Sequence, residues 1–380
     1  MTGPRVVVAP DSFKGSVSAP EVCAAVEAGV LRAVPGADVA AVPMADGGEG
    51  TLDCFLRARA GSVAVEVRAT DPAGRPVDAR YALSGDDGSA VVELAAASGL
   101  PLVEDLPPDP LSSGSAGTGE LIADAVRRGA RDVLVCVGGS ASTDGGAGLL
   151  RALGFRFLDA SGAELPPGGA ALARLARIDG SGVPAAVRAA RFRVACDVTN
   201  PLVGPDGAAA VFGPQKGASP AQVRELDAAL AVFADVVAAH TGVRVHDLPG
   251  AGAAGGACGG LAGLLGAVPA DGAALVADAV GLPAALAGAD LVITGEGRVD
   301  AQSAAGKVVS AVAALAKERG IPCVALAGGV AGPLDGLHAL GLTAAFSLAD
   351  GPRALAELKA EAAPLLAAVA EQAVRLFAAR

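Results

Sequence analysis

The sequence predicts an α/β protein: a doubly wound, mostly parallel sheet domain interrupted by a second, mixed α/β domain. Three observations carry this expectation. Short β-branched runs recur along the chain, each ending in a loop of small residues with an acid or a lysine; helical segments lie between the runs; and one stretch breaks that rhythm. Short apolar runs alternating with helices belong to strands of a parallel sheet buried on both faces. In such sheets ligands bind at the strands' C-terminal ends, which is where the polar loops fall.

Taken in order, RVVVA runs into PDSFKGS and VAAVPM into ADGGEG. Between them, Ser18 and Glu21 form a capping box ahead of Val22, Val26 and Val30, which share one helical face. The stretch SVAVEVRATDPAGRPVDARYALSGDDGSAVVEL reads instead as antiparallel strands, joined by turns at Asp71 to Gly74 and Gly85 to Gly88. Arg127, Arg128 and Gly129 then close a helix, with cations in its last turn and glycine as its cap. DVLVCV leads into GGSASTDGGAG, and FRVAC into DVTNP. Ser219, Pro220 and Gln222 open a helix with Leu226, Leu230 and Phe233 on one face. DLVIT leads into GEGRVD and CVALA into GGV. The expected division is residues 1–62 with 289–380 for the parallel domain and 63–288 for the inserted one, with the active site in the cleft between them.

With 380 residues, 52% of them apolar, the chain can bury a large core. Its formal net charge of −11 argues against a basic surface for nucleic acid or anionic lipid and leaves a small molecule as the expected partner. The six cysteines have no CxxC pair and no neighbouring histidine, a pattern of reduced core residues in a cytoplasmic protein. Leu248 to Ala270 carries no charge, but its eight glycines and two prolines leave too little apolar content for a membrane helix.

Lysine is the most informative residue type, because the chain has five against twenty-four arginines. Lys14, Lys216 and Lys307 lie in glycine-containing loops, where a compact point charge suits a phosphate. Asn200, the single asparagine, follows Asp197 at a strand end and reads as a turn residue or as part of a metal or substrate cluster. In GGSASTDGGAG, the amides of Gly138, Gly139, Gly145 and Gly146, the hydroxyls of Ser140, Ser142 and Thr143, and a following helix N-terminus would make an anion cradle. Asp144 would repel a bare phosphate, so it either bridges through Mg²⁺ or caps the helix. Asp46, Glu49, Glu296 and Asp300 could hold Mg²⁺ or accept a hydroxyl proton, or be capping and surface acids; Arg298 has the fork for a substrate carboxylate. GAGAAG, Gly250 to Gly255, fits a dinucleotide pattern but follows Pro249 and not a strong strand. No P-loop pattern is present.

VAPDSFKGS, MADGGEGT, GTGELI, GGSASTDGGAG, DVTNPLVGPDGAAAVFGPQKGA, PGAGAAGG and TGEGRVDAQSAAGK, in order from Asp11 to Lys307, together resemble the glycerate kinase type 1 family. The resemblance implies transfer of phosphate from ATP, with Mg²⁺, to D-glycerate, in a flavodoxin-like domain interrupted by a second domain. It carries Lys14, Asp46, Glu49, Gly138, Gly139, Asp144, Asp197, Asn200, Lys216, Glu296, Arg298, Asp300 and Lys307 as motif residues. The family loop is more typically GGSATNDGG, so Ser142 and Thr143 depart from it and remove an amide. On this reading the 138–148 loop takes the ATP phosphates, Asp197 with Asn200 the metal or the attacking hydroxyl, Arg298 the glycerate carboxylate, and Lys14 the transition-state charge. A nicotinamide-dependent hydroxy-acid dehydrogenase and a non-catalytic ATP or glycerate sensor are the alternatives.

Overall fold

The computed structural model describes residues 3–304 and 307–379, which form two compact units. The first comprises Met1–Asp46, Asp53–Ala60 and Asp271–Arg380, the second Gly47–Leu52 and Gly61–Ala270. In chain order the strands are β1 (Arg5–Val8), β2 (Asp38–Ala41), β3 (Ser62–Thr70), β4 (Pro76–Ser84), β5 (Ser89–Glu93), β6 (Asp132–Cys136), β7 (Arg156–Leu158), β8 (Arg177–Asp179), β9 (Arg191–Ala195), β10 (Val268–Ala270), β11 (Leu291–Val299), β12 (Cys323–Val330) and β13 (Leu342–Ser347).

The first unit is an all-parallel sheet in the order β13-β12-β11-β1-β2. Counted within the unit this is 2-1-3-4-5 read from the other edge, the flavodoxin-like doubly wound order. Strand alternation divides the core into two layers. Val6 and Val8 of β1 join Val26, Leu366 and Val374 of the helices Ala19–Ala33 and Ala362–Ala378, whereas Val7 joins Val276, Val309 and Val312 of Gly272–Ala279 and Val308–Lys317. The chain rejoins this unit at Asp271, not near Ala289, because Ala273, Val276, Val280 and Leu286 bury their side chains in that second layer.

The second unit is a mixed sheet, β10-β9-β6-β5-β4-β3, parallel through β5 and antiparallel beyond it. The antiparallel strands expected from residues 62 to 94 are β3, β4 and β5. The capping boxes of Ser18 with Glu21 and of Ser219 with Gln222 form as the residue types dictate. No helix among the described residues is long and apolar enough to cross a membrane.

The GEGRVD segment, expected as a loop, is instead the end of β11. Its pairing with β12 continues through Arg298 opposite Gly329 and Val299 opposite Val330. Glycine permits this: a Cβ at Gly295 would lie 2.1 Å from the Leu326 carbonyl oxygen, and one at Gly328 2.4 Å from that of Gly297. Only bare backbones fit at that separation.

Candidate active site

In the first unit the strand order reverses between β1 and β11, since β2 lies to one side of β1 and β11 to the other. Ligand crevices of doubly wound sheets form at such a point, and the polar residues gather there. The Asp11 N–H donates to the Gly295 carbonyl at 2.8 Å, tying the end of β1 to β11. Its carboxylate accepts from the Ser12 N–H at 2.6 Å. Burial, reinforced by the nearby charges of Asp46 and Glu296, pushes the Asp11 carboxyl up to about 7, against the pull of Lys14. Glu296, itself 8% exposed, is also raised by burial. It accepts from Ser303 Oγ at 2.5 Å and faces Lys307 Nζ at 3.7 Å.

A pocket of about 330 Å³ opens on the same unit, lined by Lys14, Arg298 and Lys359 among other residues, with Gly297, Gly328 and Gly329 contributing bare backbone. Lys14 rides on a tight turn in which Phe13 N–H bonds Val17 O at 2.9 Å and Ser16 N–H bonds Phe13 O at 2.8 Å, anchored by the buried Phe13 ring. Among the described residues the Lys14 amine has no ion pair. Arg298 Nε contacts Asp300 at 3.0 Å, and its side chain is 72% exposed. Asp300 also caps the turn that follows, accepting from the Gln302 N–H at 2.9 Å.

The second unit treats GGSASTDGGAG differently. Gly138 and Gly139 are exposed, whereas Ser140 to Ala147 are buried. The Asp144 carboxylate accepts from Ser115 N–H at 3.0 Å, Ser115 Oγ at 2.8 Å, and the Gly146 and Gly148 amides at 3.1 Å each. Ser115 Oγ in turn accepts from the Leu149 N–H, so the acid ties together the starts of two helices, Ala116–Arg127 and Ala147–Ala152. The Gly145 amide bonds Gly255 O at 3.0 Å. A Cβ on Gly146 would come within 3.0 Å of Ala257 Cα, and one on Gly255 within 2.0 Å of Ser142 O. Asp144, Gly145 and Gly146, expected to form a cradle, thus pack against GAGAAG, and their carboxylate and amides hydrogen-bond within the chain. What remains open on the loop is Gly138 and Gly139.

Lys216 is 4% exposed, and its amine donates to Ser140 Oγ at 2.8 Å and Ser142 O at 2.5 Å. Burial lowers its pKa to about 8, partly offset by Asp144. Asn200 Nδ2 donates to Asp206 O at 2.8 Å, and its backbone carbonyl accepts from the Gly252 N–H at 3.0 Å.

The carboxylates nominated for a metal divide between the units. Asp46, Glu296 and Asp300 belong to the first; Glu49 and Asp197, both exposed, belong to the second. Among the described residues no three acids, histidines or cysteines converge as a metal-binding set. Of the nominated residues, Lys14, Asp46, Glu296, Arg298, Asp300 and Lys307 thus gather on one unit, and Ser140 with Lys216 on the other. Gly306 of the Lys307 loop lies outside the described residues.

Sequence reasoning missed Asp11 and Lys359. Asp11 carries the same acid-after-strand signal as the acids that were chosen, one position beyond Pro10. Lys359 sits on the helix Leu355–Ala360, in a charged segment, and only the tertiary fold brings it to Gly15 and Ser16, whose Oγ donates to the Lys359 carbonyl at 2.6 Å.

Comparison with known proteins matches the Glycerate kinase family over residues 6–378. A glycerate kinase of Halalkalibacterium halodurans is 44% identical over 373 residues, covering 98% of this chain and 97% of that one. A glycerate 2-kinase of Escherichia coli is 45% identical over 344 residues, 90% of each chain. The crystal structure of a putative glycerate kinase 2 from Salmonella typhimurium LT2 superposes with a TM-score of 0.91 at 44% identity, covering 99% of both chains. With its flavodoxin-like order, its acids and cations at the switch point, and a family match over nearly its whole length, the chain belongs to the glycerate kinase family.

Proposed function

We propose that the chain transfers the γ-phosphoryl group of ATP to the 2-hydroxyl of D-glycerate, with the acceptor bound at the β1/β11 switch point and Asp11 as its base. The observation that carries this reading is the gathering of three cations around a pocket of about 330 Å³ beside a carboxyl raised to about 7. A small hydroxy acid fits that volume. Its carboxylate would lie on the Arg298 fork with Lys359 in support. Asp11 takes the hydroxyl proton; the freed oxygen attacks the γ-phosphorus, the bond to the β–γ bridging oxygen breaks, and ADP leaves with that electron pair. Lys14 balances the charge on the transferred group.

Family membership and 45% identity to a protein named glycerate 2-kinase support the 2-hydroxyl as acceptor. Mg²⁺ keeps most of its waters when bound and would be held on the nucleotide phosphates, where it would neutralise part of their charge. Six free cysteines, five of them buried, are consistent with a cytoplasmic protein. The dehydrogenase alternative is disfavoured because Gly250 to Gly255 is buried, with Gly255 backed against Ser142.

ADP release from ATP and Mg²⁺ with D-glycerate, with L-lactate and no-acceptor controls, tests the reaction; ³¹P NMR of the product distinguishes 2- from 3-phosphoglycerate. Glycerate-dependent ADP with a phosphate coupled to a single carbon-bound proton is the expected result. Folded protein that releases no ADP above the controls would overturn it in favour of a sensor.

A further inference from the structure

The pocket proposed for the acceptor has more room and more apolar wall than glycerate would use. Its volume of about 330 Å³ reaches the range of roughly 300–1,000 Å³ in which pockets take drug-sized ligands, well beyond so short an acid. Beside its three cations the lining holds Phe13, Leu348, Leu355, Leu358 and Ala362. Among the described lining residues Ser16 is the one neutral polar side chain, and its hydroxyl donates to the Lys359 carbonyl at 2.6 Å. The cations suit the carboxylate of an acid; no side chain of the lining is set aside for the 3-hydroxyl of glycerate.

The apolar wall is built from the core outward. Phe13 and Leu348, 4% and 1% exposed, belong to the layer that Val6 and Val8 of β1 share with the helices Ala19–Ala33 and Ala362–Ala378, and Leu358 packs against that layer. Leu355 lines the same pocket yet is 68% exposed, on the helix Leu355–Ala360, which buries none of its residues. Polar bonds hold that helix in place. Arg353, just before it, donates to Asp350 at 2.8 Å and to Glu361, just after it, at 2.6 Å. The wall therefore stands formed before a ligand arrives, and an alkyl chain laid on it removes leucine surface from water without ordering a segment first.

We propose that the acceptor of this chain is a class of compounds: D-2-hydroxy acids carrying an alkyl chain in place of the hydroxymethyl group of glycerate, phosphorylated alongside glycerate itself. This deepens the acceptor reading of the pocket and rests on it. The carboxylate lies on Arg298 and Lys359 as in glycerate, and the alkyl chain lies on the Phe13, Leu348, Leu355 and Leu358 wall. The transfer is the same: the 2-hydroxyl gives its proton to Asp11, its oxygen bonds the γ-phosphorus, and the bond to the β–γ bridging oxygen breaks with its electrons leaving on ADP. Discrimination follows from the lining. A site built to hydrogen-bond a substrate hydroxyl rejects an analogue lacking it by roughly 10⁴ to 10⁵, whereas an apolar wall separates ligands by only about 10- to 200-fold. This lining is of the second kind.

The test is ADP release from ATP and Mg²⁺ with D-lactate, D-2-hydroxybutyrate and D-2-hydroxy-4-methylpentanoate, each against D-glycerate, with ³¹P NMR to identify the phosphorylated acid. kcat/KM is expected to rise about fourfold for each added methylene, which brings the branched acid within about a hundredfold of D-glycerate. Leu355→Ser, at an exposed position that leaves the core untouched, is expected to cut the preference for the branched acid over D-lactate by about fivefold, with Leu358→Ser as the second variant. If D-glycerate is turned over but the branched acid falls short of that hundredfold, or the series does not rise with chain length, the proposal is overturned and the acceptor reading stands. If the alkyl acids are phosphorylated but neither leucine variant, folded by circular dichroism, changes the preference, they bind elsewhere, and the proposal falls together with the placing of the acceptor in this pocket. Folded protein that releases no ADP with any of the acids, D-glycerate included, overturns the kinase reading and the proposal with it.

Discussion

At the switch point of the first unit, Lys14 and Arg298 stand exposed, and Asp11 is held near neutrality by burial and by the acids around it. In the GGSASTDGGAG loop of the second unit, Lys216 and Asp144 are buried, and Asp144 spends its oxygens on amides and a hydroxyl of its own chain. The two regions look alike as sequence, small residues around an acid with a lysine set nearby or further along the chain. Their difference lies in what the acid faces. An acid pressed against other acids is unstable in its charged form and so is ready to exchange a proton. An acid surrounded by donors is stable, fixed and chemically quiet.

This contrast breaks or sharpens under substitution. Asp11→Asn is expected to lower kcat by about 10² to 10⁴ while raising the melting temperature. The raised carboxyl favours folding fully only below its unfolded pKa, and that contribution is lost as pH rises through about 7, so removing the charge relieves strain at neutral pH. Wild-type turnover in this variant would remove Asp11 from the chemistry. Asp144→Ala is expected to act the opposite way, costing about 3 kcal/mol by stranding buried donors and lowering the melting temperature. A variant of unchanged melting temperature that has lost only nucleotide affinity would return Asp144 to the cradle.

A smaller effect is expected for Arg298→Met, a rise of about tenfold in KM for glycerate without loss of nucleotide affinity. The pH profile of kcat/KM should be a narrow bell. It rises as Asp11 loses its proton through about 7 and falls as Lys216 loses its charge through about 8; a flat profile from pH 6 to 9 would show that neither group titrates in the reaction. Smallest is Lys359→Met, about a two- to threefold rise in KM for glycerate, as suits an exposed cation.

The parallel order of the first unit was legible because each strand and its loop repeat one pattern, and the antiparallel strands because their turn residues announce themselves. The end of β11 was not, because glycines that usually mark a loop here mark two backbones too close for side chains. The site was legible in its residue types and only partly in its roles. Nothing local to Asp144 reveals that Ser115, far upstream, will claim its carboxylate. Lys359 could not be chosen from a charged helix before the fold carried it to the Ser16 turn. Asp11 could have been, since it follows a buried strand as Asp46 does, but its pKa depends on acids from two other segments.

The bare backbone of the pocket proposed for the acceptor has a consequence for what this scaffold could become. At Gly329 an added methyl meets no atom within 4 Å, so larger side chains could be placed there without disturbing the pairing of β11 with β12. Gly328, with a carbonyl 2.4 Å from any Cβ, allows no such freedom. A lineage could therefore trim the length of hydroxy acid it accepts by changing one position while the adjacent one stays fixed by the sheet. Repertoire and architecture are written into neighbouring residues, and only one of the two is free to drift.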